Sequence, residues 1–597
     1  MRTKLTLLGA ASIAAFVGAA PAARPAARSP LSGLDAFMVA TMKDWKVPGT
    51  AVAVVKGGQV VLLEGYGLRD VDGKLPVTPR TIFPIASITK SFTVAALASL
   101  AAEGKLDWDQ PVHDLLPGFR LYDDAATLRV TPRDLVTHRT GLPRHDAMWY
   151  FGEPSRAAMV DHLRFLEPSR DLRSTWQYNN LAFVTAGYLA GKVAGSSWED
   201  VVRTRLFEPL GMKRSSFAIG VAKNDPDVAH AYQKDDQQEV KPIPYFEQTE
   251  MGPAGTIVST ADDLSRYLLM HLAKGKFEGR PVLAEADVAA MQTPQMVTPT
   301  PLVFPEISHT SYGMGLFVTT YRGHKLVHHG GNIDGFSLLL SFLPQDDIGV
   351  IVLTNLDGTP YPSIVTYQVY DRLLGLDPVD WNARYLDRQK KARASEEEAK
   401  TKGYTPRKTG TRPSHDLAEY VGDYEHPGYG LVRVGRAADD LTLTYNQASS
   451  TMKHFHYDVF EVPANALDKL ERTKVMFGTG WNGEIDGLSI ALEPVVKDIV
   501  FRRVADRSMR ERGFLEPLAG VYEVGPTPVT VTLRGDGILV LAVPGQPVRE
   551  LEPVRGLTFT VKGLSGHQMV FKKDDAGRVV EAAFQQPGAN YVARRKE

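Results

Sequence analysis

The run Ser91-Phe92-Thr93-Val94-Ala95-Ala96-Leu97-Ala98-Ser99-Leu100-Ala101-Ala102 carries no charge before Glu103, and Gly104 follows it as a helix stop. A helix that is apolar on every side is a buried one, so the fold must supply packing partners all round it. Lys90 is the one cation at its start, and Ser87 stands one turn earlier, in Phe83-Pro84-Ile85-Ala86-Ser87-Ile88-Thr89-Lys90. Residues three apart share a helix face, so the amine of Lys90 can reach the hydroxyl of Ser87. A lysine is costly in a core unless it is paired or neutralised, and either condition suits a base beside a nucleophile. The plainer alternative is a lysine that snorkels from the helix start to solvent.

With 597 residues and 43% hydrophobic content the chain can bury several cores, and its length corresponds to roughly three or four domain-sized units. Sixty-eight basic and 69 acidic side chains leave a net charge of -1, which points to neither nucleic acid nor an acidic membrane surface as a partner. Cysteine is absent, and with it disulfides, thiolate metal sites and a cysteine nucleophile. Arg2 and Lys4 precede the apolar run Leu5 to Ala20, followed by Ala19-Ala20-Pro21-Ala22-Ala23. This pattern predicts a signal peptide over residues 1–22, in which cleavage after Ala22 would satisfy the A-x-A pattern and an uncleaved anchor is the alternative, and a periplasmic or secreted protein. No later stretch approaches the ~20 apolar residues of a membrane span.

Two β-rich runs, Thr50 to Val55 and Gln59 to Tyr66, flank Lys56-Gly57-Gly58 and predict a hairpin. From Thr131 to about Leu272 the pattern is mainly helical, and strand signals return at Tyr312 to Thr320, Lys325 to His328, Phe336 to Leu343 and Ile348 to Thr354. An amphipathic helix from Pro362 to Leu374 closes the series. Short links imply antiparallel pairing, so the economical solution is one antiparallel sheet, built from the hairpin and the later strands, flanked by helices. This α/β (α+β) unit is expected over 34–380. Residues 381–413 turn polar and charged and read as a linker. Beyond it Leu417-x-x-Tyr420-x-Gly422-x-Tyr424 recurs as Leu515-x-x-Leu518-x-Gly520-x-Tyr522. Each copy opens a region of short alternating strands, which predicts two similar all-β barrel-like domains over 414–505 and 514–597.

Two further motifs carry chemistry. In Tyr178-Asn179-Asn180 a phenol can hold or pass a proton and an amide can fix a substrate carbonyl, whereas the structural alternative is a core tyrosine beside a capping asparagine. In His329-Gly330-Gly331-Asn332-Ile333-Asp334-Gly335 the glycines let a strand approach a ligand closely. A main-chain N–H from that strand, with the N–H of Ser87, would make an oxyanion hole. His328-His329 invites a metal reading, but no H-E-x-x-H motif and no third clustered ligand accompany it, so no metal is expected. A second S-x-x-K match, Ser450 and Lys453, lies among aromatic and β-branched residues without a helical run and reads as a decoy.

S-x-x-K, then Y-x-N, then an H-x-G strand is the ordered signature of penicillin-recognising serine hydrolases, and the chain resembles their class C β-lactamase and D-peptidase branch from about Leu34 to Leu376. The text in Leu135-Val136-Thr137-His138-Arg139-Thr140-Gly141-Leu142-Pro143, Gly255-Thr256-Ile257-Val258-Ser259-Thr260-Ala261 and Tyr312-Gly313-Met314-Gly315 agrees with it. The resemblance implies Ser87 as acylated nucleophile, Lys90 and Tyr178 as the proton-transfer pair and Asn180 as a substrate contact. It puts His329 in the position of the third-motif cation, and Asn332, beside Gly331, as second oxyanion donor through its backbone N–H. Histidine stands where β-lactamases usually carry lysine and is only partly charged near pH 7, which favours a peptidase or esterase. The expectation is thus a secreted serine hydrolase, without cofactor, acting on small peptides, amides or esters in the manner of a D-aminopeptidase or esterase. The alternatives are a β-lactamase or DD-carboxypeptidase and, in another class, a non-catalytic sensor of cell-wall fragments. The tandem β regions resemble those of D-aminopeptidases, where such barrels border the active-site cleft.

Overall fold

The structure, a computed structural model, describes residues 29–150, 152–299, 301–402, 406–464, 470–480 and 483–596. The leader expected at 1–22 lies outside the described residues. Among the described residues no helix is long and apolar enough to cross a membrane.

The predicted hairpin forms from Gly49–Lys56 (β1) and Gln59–Asp70 (β2), and Gly57 and Gly58 take φ of 60° and 70° in the two-residue turn. Both turn positions need the left-handed region, which glycine enters without steric cost. The remaining strands of this sheet are Leu75–Pro76 (β3), Met296–Val297 (β4), Ile307–Tyr312 (β5), Phe317–Tyr321 (β6), His324–Ile333 (β7), Phe336–Leu343 (β8) and Ile348–Thr354 (β9). They order as β4-β5-β6-β7-β8-β9-β1-β2-β3, antiparallel throughout. The predicted strand Tyr312 to Thr320 is two strands, because the chain breaks at Gly313 to Leu316. There Gly315, at φ 73°, lies against the helix that carries Lys90, and a Cβ would stand 3.0 Å from the Lys90 carbonyl oxygen.

The helices that frame the sheet are α1 (Leu34–Trp45), α2 (Thr89–Ala102), α3 (Asn180–Ala194), α4 (Ala261–Leu272), α5 (Tyr361–Leu374) and α6 (Trp381–Lys402). Successive strand residues point to opposite faces. Val52, Val54, Val350 and Val352 therefore pack with α1 and α5, while Ala51, Ala53, Ile351 and Leu353 join α2, α3 and α4 on the other side. Both faces are covered, which explains why β8 and β9 read as continuous apolar runs rather than alternating ones. Helix α2 is buried along almost its whole length.

The stretch read as a charged linker starts as a docked helix. Trp381 is fully buried in α6 and donates through Nε1 to Asp371 Oδ2 at 2.8 Å, and Tyr385 and Leu386 pack on the same cluster. Two aromatics one turn apart thus tie its first turns to α5, and its charged residues occupy the rest.

The carboxy-terminal region forms two closed eight-stranded barrels, from Gly422 to Val504 and from Gly520 to Arg595. The sequence repeat is a repeated set of bonds. Tyr424 donates to the Tyr420 carbonyl and Tyr522 to that of Leu518, each at 2.8 Å. Arg503 closes the first barrel onto the carbonyls of Glu419 and Val421, and Arg595 closes the second onto Pro517 and Ala519. Gly422 and Gly520 lie beneath these guanidinium groups, where a Cβ would come within 3.1 and 3.0 Å of them. The two barrels differ in attachment: the core of the first is continuous with that of the sheet domain, whereas the second has a cluster of its own.

Candidate active site

Ser87 sits in a 3-10 turn, Ala86–Ile88, that leads into α2. Ala86 has φ 45°, a conformation that costs a non-glycine residue about 1–3 kcal/mol and persists only where its surroundings impose it. Here they do: Phe83–Pro84 pairs with Val258–Ser259, and the Ile85 N–H donates to the Ile257 carbonyl at 2.8 Å.

Lys90 has no exposed surface, and its Nζ lies 3.0 Å from Ser87 Oγ, 2.9 Å from Asn180 Oδ1 and 2.7 Å from the Ala254 carbonyl oxygen. Burial, reinforced by the Arg144 guanidinium and partly opposed by Asp146, holds its pKa well below the ordinary lysine value. A neutral amine has two N–H groups and one lone pair. Asn180 Oδ1 and the Ala254 carbonyl only accept, so in the neutral form they take both N–H groups and the lone pair is left for the Ser87 hydroxyl.

Tyr178 donates to Ser87 Oγ at 2.8 Å. Burial pushes its phenol above the usual tyrosine range, although the bond to Ser87 and the charge of Arg144 pull the other way, so it stands as a protonated donor near pH 7. Asn179 caps α3, its Oδ1 accepting from the Ala182 N–H at 2.8 Å, so the residues on either side of the cap are the ones turned to the serine. Asn180 Nδ2 donates to Asp146 Oδ1 at 3.1 Å. A carboxylate only accepts, so this bond fixes which end of the amide faces Lys90 and leaves one N–H for a substrate carbonyl.

Strand β7 pairs with β6 from His324 to His328 and with β8 from Val327 to Ile333, so only Val327 and His328 have both neighbours and the stretch from His329 to Ile333 is an edge with β8 alone beside it. That open edge runs past the serine turn. A Cβ at Gly331 would stand 2.5 Å from the Ile85 carbonyl oxygen and 3.2 Å from Ala86 Cβ, so only glycine permits the approach. Asn332 lines the same cavity as Ser87. The imidazole of His329 lies 6.3 Å from the Tyr178 ring, centre to centre, and its hydrogen bonds go to Tyr312 (Nε2 to the hydroxyl, 3.1 Å) and to the Gly330 carbonyl (Nδ1, 2.7 Å). Burial, aided by Lys90, pushes its pKa down to about 3, so the imidazole in the third-motif cation position is neutral near pH 7. His328 turns to the opposite face and stacks on Phe317, so the two histidines do not converge on one ion. The decoy Ser450 and Lys453 lie on a strand of the first barrel, where residues three apart point to opposite faces.

The cavity holds about 420 Å³ and is lined by Ser87 and Asn180, by Arg144, Asp146, Trp149 and Tyr150 from one segment, and by Asp334 and Asp357. Sequence reasoning gave no role to Arg144 and Asp146, which begin one residue after the family-like text ends at Pro143. Arg144 donates through Nε to Asp146 Oδ2 at 2.5 Å and lies 5.1 Å over the Tyr178 ring. His138, in the quoted text but unassigned, packs 4.4 Å from the Tyr178 ring with φ 57° and accepts from the Asn179 N–H at 3.1 Å.

Residues 406–503 match a domain of unknown function (DUF3471). The chain is 31% identical over 409 residues to the unguisins hydrolase ungD' of Aspergillus campestris, covering 65% of this chain and 74% of that one. It is 29% identical over 506 residues to the unguisins hydrolase ungD of Aspergillus violaceofuscus, covering 78% and 89%. The octameric penicillin-binding protein homologue from Pyrococcus abyssi superposes with a TM-score of 0.54 at 25% identity, covering 79% of this chain and all of that one. Residues 34–372, which hold the serine turn, the tyrosine and the glycine-lined strand, match the β-lactamase family, and the chain belongs to that family of serine hydrolases.

Proposed function

We propose that the protein hydrolyses small peptides, amides or esters through an acyl-enzyme on Ser87, in the manner of a D-aminopeptidase or esterase. The observation that carries the reading is that one hydroxyl is held at hydrogen-bond distance by both a buried amine, 3.0 Å away, and a phenol, 2.8 Å away. The lone pair of Lys90 takes the Ser87 proton as Oγ attacks the carbonyl carbon. The N–H groups of Ser87 and Asn332 receive the developing oxyanion. The proton returns to the leaving group by way of the Tyr178 phenol, and water then repeats the sequence on the acyl-enzyme. Two features favour an amine-bearing or neutral substrate over a β-lactam or a D-peptide carboxylate. His329 offers no charge near pH 7, and the cavity lining sets the carboxylates of Asp146, Asp334 and Asp357 against the one guanidinium of Arg144, itself paired to Asp146. The apolar run after Arg2 and Lys4 supports export.

The test is to treat the purified protein with a fluorophosphonate and map the adduct by mass spectrometry, beside Ser87→Ala. The expected result is a single adduct on Ser87 that the variant lacks, with turnover of aminoacyl amides or short-chain esters exceeding that of a chromogenic cephalosporin. Tight binding of cell-wall fragments with neither label nor turnover would favour the sensor instead.

A further inference from the structure

From Pro143 to Tyr150 the chain runs between the serine site and the first barrel, and its residues alternate in allegiance. Arg144, Asp146, Trp149 and Tyr150 face the cavity. His145, between the first two, is fully buried on the barrel side at φ 48°. Its Nε2 lies 3.0 Å from the Glu167 carbonyl, which only accepts, so Nε2 carries the proton and Nδ1 accepts from the Tyr429 hydroxyl at 2.7 Å. Its backbone N–H donates to Glu493 Oε2 at 2.8 Å. One residue beyond Asp146, the Ala147 carbonyl accepts from the Tyr445 hydroxyl at 2.7 Å and from Asn446 Nδ2 at 3.3 Å, and Asn446 Nδ2 also reaches the Tyr150 carbonyl at 2.7 Å. Asp146 is thus clamped through the backbone on both sides by groups from three separate turns of one closed barrel.

Asp146 is in turn the group that orients the amide bound to Lys90. It accepts from Asn180 Nδ2 and from Trp149 Nε1, each at 3.1 Å, and from Arg144. We propose that the first barrel is a positioning element of the active site: by gripping His145 and Ala147, Tyr429, Tyr445, Asn446 and Glu493 hold Asp146 where it turns the Asn180 amide toward Lys90. The proposal rests on the acyl-enzyme reading above. It makes the barrel more than a wall of the cleft, since neither Tyr429 nor Asn446 lines the cavity.

The groups around Lys90 are Tyr178, His138, His329, Arg144 and Asp146. Of the last two, Arg144 acts on the amine more strongly, so loosening the segment removes a net downward pull. The experiment measures the second-order rate of fluorophosphonate labelling at Ser87 against pH in the full-length Tyr429→Phe/Asn446→Ala protein, with thermal unfolding in parallel. The single variant Asn446→Asp keeps shape but removes the amide donor, and serves if the double variant does not fold. The expected result is labelling slower by about 10–10²-fold, the scale of a small misplacement of reacting groups, with its acidic limb displaced to higher pH. A variant that labels at the wild-type rate with an unmoved limb overturns the positioning role. A variant that is slower only in proportion to its unfolded fraction, with an unmoved limb, overturns it as well. A wild type that takes no label at Ser87 overturns instead the acyl-enzyme reading on which the proposal rests.

Discussion

The amine of Lys90 has three neighbours and, when neutral, only two hydrogens to give, so the identity of the proton acceptor follows from counting donors. Burial does most to lower the pH at which it becomes available, and the charges beside it tune that pH. Arg144 lowers the Lys90 pKa and Asp146 raises it. A general base works in its deprotonated form, so labelling of Ser87 rises with pH through the Lys90 pKa. Arg144→Met removes the downward pull and leaves Asp146 uncompensated, so the rising limb moves to higher pH. Asp146→Asn leaves Arg144 uncompensated and moves the limb to lower pH, while the rate falls because the Asn180 amide loses its anchor. Labelling rates across pH for both variants check the pair, and shifts of the same sign would contradict it. No step from His329 is expected above about pH 4, since burial holds that imidazole neutral. At this scale the sequence is informative where partners are close in the chain or share a motif, as Ser87 and Lys90 do. Asp146 acts on an amide 34 residues away, and no local periodicity encodes that contact.

Elements here are shaped by where they meet. The half of β7 that has left β6 is the half that passes the serine turn, and its two adjacent glycines have different reasons to be glycine. An added Cβ at Gly330 would meet the Leu338 carbonyl oxygen at 3.6 Å, an ordinary contact that needs no displacement. Gly331 faces the Ile85 carbonyl oxygen, where the added atom would come to 2.5 Å. That oxygen belongs to the backbone carrying Ser87 and cannot yield without moving the nucleophile. Gly330→Ala is therefore expected to label and unfold as the wild type does. Gly331→Ala should lose about 1–3 kcal/mol in urea unfolding, as overpacked sites do, and label more slowly by about 10²-fold or more. Equal behaviour of the two variants would mean that the strand does not bear on the turn. The hairpin at Gly57-Gly58 was legible because its turn residues and its alternation agree. The break at Gly313 to Leu316 was not, because it is imposed by contact of Gly315 with α2, and neither was the docking of α6, whose two aromatics are outnumbered by charges in any local window.

On the scale of the whole molecule the repeat in the sequence foretold two like barrels, and the same tyrosine and arginine bonds close both. What the repeat could not convey is that they are attached differently, since the seam depends on turns rather than on the repeated strands. At the first barrel Gly428 lies against Leu166 and Phe165, at 3.0 Å from each for an added Cβ, and Tyr429, Tyr445 and Asn446 bond to the sheet domain. The second barrel's apolar residues form a separate cluster. Removing the chain after Val504 would cut outside the pairing of Gly422–His426 with Ile499–Val504 that closes the first barrel, and would take that separate cluster away whole. Removing it after Lys402 would instead open a core shared by both parts and take Tyr429 and Glu493 from His145, leaving its left-handed residue only the Glu167 carbonyl among those three partners. Apolar surface returned to water costs roughly 25 cal/mol per Å², and a strained residue relaxes once its contacts are gone. The shorter deletion should therefore sediment as the full-length protein's association state dictates and label at Ser87 with the wild-type pH profile. The longer one should aggregate or take little label. Loss of label in the shorter deletion, with its unfolding still cooperative, would mean that the second barrel also reaches the active site.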